Sequence, residues 1–96
     1  MFVIILSYTQ PIEVIDRLRP AHLEFLDRYF SKNVFIASGR QTPLKGGVIL
    51  AKANSRAEVE QIITEDPFYI EKVATFEIIE FTPGKVNPNI SSLITV

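Results

Sequence analysis

Apolar positions along this chain switch between a period of two and a period near 3.6, and each switch marks the edge of an element. Residues 2–8 (FVIILSY) are short, β-branched and aromatic. They are apolar on both alternating faces, which predicts a strand in the middle of a sheet. From residue 11 to about residue 32, Ile12, Ile15, Leu18, His22, Phe25, Leu26 and Tyr29 recur on one helical stripe. Thr9 or Gln10 is placed to cap this helix, and Pro11 suits its first turn. Pro20 lacks an N–H and disfavours helical geometry at Arg19, so the pattern predicts two segments, 11–18 and 20–32, broken at Arg19-Pro20. Residues 34–40 and 47–53 read as a second and third strand, joined through the polar turn 41–46. Ser55 and Glu58 have capping-box spacing and open a second helix carrying Val59, Ile62 and Ile63, which Glu65-Asp66-Pro67 stops. A single irregular turn over 68–73 leads to a fourth strand, 74–81, ended by Thr82-Pro83-Gly84. In the tail, Asn87-Pro88-Asn89 signals a turn and residues 92–96 suit a short extra strand.

The order is strand, helix, strand, strand, helix, strand. With right-handed crossovers it gives an α+β fold, the ferredoxin-like βαββαβ, in which a four-stranded antiparallel sheet carries both helices on one face. The other face has no cover within the chain, yet neither face of the first three strands is polar. Contiguous apolar patches of that extent are uncommon on monomers, so a homodimer with its sheets face to face is expected.

Composition narrows the classes. Ninety-six residues suffice for one domain, and 47% hydrophobic with 22% charged residues is a folding composition. Ten basic and eleven acidic residues leave no basic excess for a nucleic-acid backbone, so no nucleic-acid partner is expected. The apolar run 1–6 falls far short of the ~20 residues of a membrane helix. It also lacks the basic flank and cleavage site of a signal peptide, so no membrane partner is expected. The absence of cysteine removes thiol chemistry and cysteine zinc sites and fits a reducing, cytoplasmic setting.

His22 is the only side chain whose ordinary titration lies near neutrality. On the inward stripe of its helix it is either a core histidine with one satisfied hydrogen bond or a general acid or base at the floor of a cleft. Asp66 either stops a helix, with Pro67 forbidding continuation and Phe68 plugging the core, or accepts from a ring nitrogen of His22 and fixes its tautomer. Ser38 and Arg40 end the second strand. They are turn residues or, alternatively, a pocket hydrogen-bond donor and an anion clamp. Arg19 and Lys45 are further possible anion contacts. The helical neighbours of His22 include no metal ligand, so no metal site is expected, and Gly46-Gly47 lacks the Lys-Ser/Thr of a phosphate loop. No cofactor is expected.

Taken together, Arg19-Pro-Ala-His-Leu23, Ala37-Ser-Gly39, Gly46-Gly47 and Asp66-Pro-Phe68, with spacing maintained to Thr82-Pro83, resemble the YciI-like (YCII-related) family. The resemblance implies one YciI-like domain over 1–96, with a core of about 1–83 and a tail of 84–96. It also implies a dimeric α+β barrel and a cleft with a histidine–aspartate pair, falling here on His22 and Asp66. Ser38 matches the family's second-strand position near that cleft. Arg40 departs from the pattern, standing where many members carry proline and adding charge to the pocket. The activity implied is unassigned. It is compatible with a cofactor-free lyase or isomerase that transfers a proton through the pair on a small polar molecule, and equally with a non-catalytic small-molecule-binding or structural dimer module.

Overall fold

In the computed structural model, which describes residues 1–94, the doubly apolar segment becomes β1 (Phe2–Tyr8), an interior strand flanked on both sides. It is followed by α1 (Ile12–Ser31), β2 (Phe35–Arg40), β3 (Gly46–Ala51), α2 (Arg56–Ile63), the single turn α3 (Pro67–Ile70), β4 (Ala74–Glu80) and a terminal turn α4 (Ser91–Ile94). The strands run β2-β3-β1-β4, all antiparallel, which is the ferredoxin-like topology found in dimeric α+β barrel folds. No helix among the described residues is long and apolar enough to cross a membrane.

The period-two pattern of β1 decides which face the helices cover. Phe2, Ile4 and Leu6 are buried together with Phe35, Ile49 and Ala51 of the neighbouring strands. Ile15, Phe25, Leu26 and Tyr29 of α1, Val59, Ile62 and Ile63 of α2, and Phe68 of α3 complete this core. On the opposite face Val3, Ile5, Val48, Leu50 and Ile79 lie on adjoining strands by register, with Val48 and Ile79 exposed.

A β-bulge between Phe35 and Ala37 resets the register of β2. Strict alternation from Phe35 would turn residues 37 and 39 toward the helices. With the bulge, Ser38 pairs with Ile49 and Arg40 with Gly47, so Ser38 and Arg40 share the helix-side face and Ala37 and Gly39 the other. Gly46 pairs with Ser7 where the backbones approach so closely that a Cβ would overlap the Leu6 carbonyl oxygen, so only glycine fits there.

Three expectations are corrected. Neither Thr9 nor Gln10 caps the first helix: Pro11 stands at its N-cap with no side-chain cap bond, and the Thr9 hydroxyl donates to the Lys72 carbonyl at 3.4 Å instead. The helix does not break at Arg19-Pro20: α1 runs unbroken from Ile12 to Ser31 with Pro20 inside it. An interior proline costs about 3 kcal/mol. Ile15 before it and Phe25, Leu26 and Tyr29 after it are all buried in one core, and that burial outweighs the cost. Pro20 and Asp16, the residue four before it, are both exposed, so the carbonyl left without its N–H belongs to the wet side of the helix. Nor do residues 92–94 form a strand. Asn87 accepts the Asn89 N–H on its side chain at 2.9 Å, and the Ile90 and Leu93 N–H groups bond three residues back, which closes a helical turn. Residues 95 and 96 of the expected strand lie outside the described residues. The single turn expected over 68–73 is shorter, Pro67–Ile70, and the other elements begin and end within two residues of the expected limits. Ser55 caps α2 by accepting the Glu58 N–H at 3.1 Å, and Glu58 in return accepts the Asn54 N–H at 3.1 Å.

Candidate active site

Two side chains on the inward face of α1 meet the segment that joins α2 to α3. His22 and Tyr29 are seven residues apart, two helical turns on one stripe, and they face the consecutive residues Asp66 and Glu65. Phe25 fills the space between as core. The chain turns at Asp66 because Pro67 occupies the first position of α3, where its missing N–H costs nothing.

Asp66 is fully buried. Its Oδ1 accepts the Phe68 N–H at 2.9 Å, capping α3, and lies 2.8 Å from His22 Nδ1. A carboxylate only accepts, so Nδ1 carries the hydrogen in this contact and Nε2 is left as the nitrogen on the other edge of the ring. The second oxygen, Oδ2, is buried with no partner among the described residues. The Phe68 ring lies flat against the imidazole, 4.1 Å between centroids and 10° from parallel. The Asp-Pro-Phe sequence thus bonds one edge of the His22 ring and packs one of its faces, and the aspartate that ends the helix is also the one that meets the ring.

His22 keeps 12% of its side-chain exposure, and that exposure opens on a cleft of about 250 Å³. Arg19, Ser38 and Arg40 also line this cleft, with apolar walls from Leu6, Leu26 and Phe68, while Asp66 lies behind His22 and does not reach it. Arg40 is held by Asp16 across the gap from β2 to α1, at 2.9 Å. Arg19 is half-buried. Lys45 is not part of the lining. Sequence reasoning missed Tyr8, which lines the cleft and meets Phe68 edge-on at 6.0 Å. Its signal was present, since Tyr8 continues the alternation of Leu6 on the helix side of β1.

The model of the YCII-related domain matches residues 1–82. The chain belongs to the YCII-related family. No curated protein sequence matches it significantly. Among solved structures, this YCII-related chain is similar to 5-chloro-2-hydroxyhydroquinone dehydrochlorinase (TftG) from Burkholderia phenoliruptrix AC1100, determined in complex with 2,5-dihydroxybenzoquinone. The two share 20% identity over 88% of this chain and 96% of that one, with a TM-score of 0.72. At that identity the likeness is one of fold.

The second tie beside the site also has a measurable signature. The Tyr29 hydroxyl donates to Glu65 Oε2 at 2.6 Å, and burial followed by this bond to an acid pushes the phenol up to about 12. The ordinary value is 10.0, so above it the unfolded chain loses the proton first. The stabilisation is therefore complete below about pH 10 and fades as pH climbs toward about 12. Tyr29→Phe is expected to cost ~1–2 kcal/mol at neutral pH, from the lost bond to a charged acceptor. Urea unfolding of both proteins at neutral pH and near pH 11 should show that difference shrinking at the higher pH. A constant difference would mean that the phenol makes no pH-dependent contribution.

Proposed function

We propose that this protein is a cofactor-free lyase or isomerase in which His22 transfers a proton on a small polar molecule held in the cleft. The observation that carries this reading is the placement of the imidazole, with Nδ1 on a fully buried carboxylate and the His22 side chain among those lining the cleft. Asp66 fixes the ring and its tautomer and compensates the charge that appears when Nε2 takes a proton. In a lyase step Nε2 accepts a proton from an acidic O–H or C–H as the leaving group departs with its bonding electrons. In an isomerase step the same proton returns to a different carbon. One positioned histidine contributes ~10²–10⁴-fold, enough for an activated ring or lactone. A fold neighbour that acts as a dehydrochlorinase and holds a dihydroxyquinone supports a hydroxylated ring as the substrate class. Ser38 and the arginines at the cleft supply donors for its oxygens.

A second reading has one observation in its favour. Asp66 Oδ1 also caps α3, and Phe68 packs on the ring, so the pair performs a structural task whether or not it performs chemistry. In that case the cleft belongs to a non-catalytic binding module. A panel of lactones and halogenated phenols, followed by NMR for product and by chloride release, separates the two. The enzyme reading expects turnover that His22→Ala lowers by ~10²-fold or more. In Asp66→Asn the side-chain oxygen still receives both hydrogen bonds, while the amide replaces the unpartnered Oδ2 and the charge is lost. That variant should lose kcat more than it raises KM. Turnover unchanged in His22→Ala would refute the proposal, and ligand binding without turnover would favour the binding module.

We propose as well that two copies associate through the open sheet face. Val3, Ile5, Val48, Leu50 and Ile79 make that face apolar on three adjoining strands, and burial at ~25 cal/mol per Å² favours covering it. Sedimentation at micromolar concentration is expected to give twice the mass of one chain, and Ile79→Lys should yield insoluble or unfolded protein because folding and association are coupled. A stable species of single-chain mass would contradict this assembly.

A further inference from the structure

The polar groups around the cleft are unbalanced in charge. Those lining it are Tyr8, Arg19, His22, Ser38 and Arg40, and no aspartate or glutamate lines it. Two acids that bond lining residues are both committed. Asp66 is sealed behind His22, and Asp16 holds Arg40 at 2.9 Å. Arg19 differs from Arg40. It is half-buried, and no acid or hydrogen-bond acceptor engages it among the described residues. A partly buried arginine at the cleft, with no counter-charge among the described residues, leaves its guanidinium to engage a bound anion. Its planar fork matches a carboxylate in two parallel hydrogen bonds.

Helical spacing fixes where such an anion would sit. Arg19 and His22 are three residues apart on α1, on the same face and about 4.5 Å apart along the axis. A carboxylate on Arg19 therefore places the adjoining atoms of the same molecule next to the imidazole. The cleft, at about 250 Å³, is smaller than the ~300–1,000 Å³ of sites for drug-sized ligands, and it suits one ring with its substituents.

We propose that the cleft selects a single-ring organic acid, with Arg19 as the residue that recognises its carboxylate. This deepens the function proposed above and rests on the cleft being the ligand site, though not on the ligand being turned over.

The test compares two probes of the same shape, salicylate and neutral salicylamide, by NMR titration of the ¹⁵N-labelled full chain. Salicylate is expected to bind at least ~10-fold more tightly and to shift the Ser38 and Gly39 amides. Arg19→Gln should reduce the salicylate affinity to that of the amide, whereas Arg19→Lys, which keeps the charge, should retain part of the preference. Asp16→Asn, which releases Arg40, should strengthen salicylate binding severalfold and leave salicylamide unchanged. His22→Ala should keep the acid-over-amide preference, so loss of catalysis and loss of charge recognition are read separately. Equal affinity for the two probes would overturn the inference. So would a full preference surviving in Arg19→Gln, a preference lost in His22→Ala alone, or no shift at the cleft with either probe at ~10 mM.

Discussion

A carboxylate cut off from solvent has to find its donors inside the protein, and Asp66 finds two on a single oxygen, the Phe68 N–H and His22 Nδ1. Much of the molecule is arranged around that requirement. The backbone donor comes from the turn that Pro67 forces, so α2 has to end where it does. The side-chain donor comes from α1, so the long helix has to hold one rotational setting over the sheet. Tyr29, two turns further along α1, repeats the contact on Glu65, and the two bonds together pin the α2–α3 junction to the helix at two points. With Oδ2 left unpartnered, removal of the His22 bond would leave the buried carboxylate with one donor, a loss of ~1–3 kcal/mol or more.

The sheet supplies the other half of the site through a local irregularity. Core burial alone would keep β2 in strict alternation. The bulge after Phe35 instead turns Ser38 and Arg40 toward the helices while Phe35 stays in the core. The cleft therefore has one wall on a rigid helix and one on a rigid strand, bridged at its mouth by the Arg40–Asp16 pair. That pair is exposed and contributes little to stability. Its larger consequence is electrostatic, because it neutralises one cleft arginine and leaves Arg19 as a cleft cation with no partner among the described residues.

Much of this was legible in the residue pattern. The apolar alternation of β1, the stripe of α1 and the Ser55–Glu58 box have local causes, so the fold and the uncovered sheet face could be read directly. His22 and Asp66 were legible as candidates, but their contact spans 44 positions and follows from topology alone. The bulge has no sequence mark in Val34–Arg40, and so the facing of Ser38 and Arg40 was hidden. Pro20 misled because a local helix penalty is visible in sequence, whereas the burial on either side that overrides it is a tertiary quantity. Tyr8 was legible as the helix-side end of β1, but its place in the cleft depends on where Phe68 of α3 packs, which is a tertiary relation.

In the proposed function Asp66 holds the imidazole in one tautomer and leaves Nε2 to exchange the proton. Long-range ¹H–¹⁵N correlation spectra of the His22 ring, recorded where the ring is neutral, read this directly. A proton on Nδ1 and a bare Nε2 are expected, with that preference reduced in Asp66→Ala. A ring protonated on Nε2, or one that averages freely between the two tautomers in the unaltered protein, would contradict it.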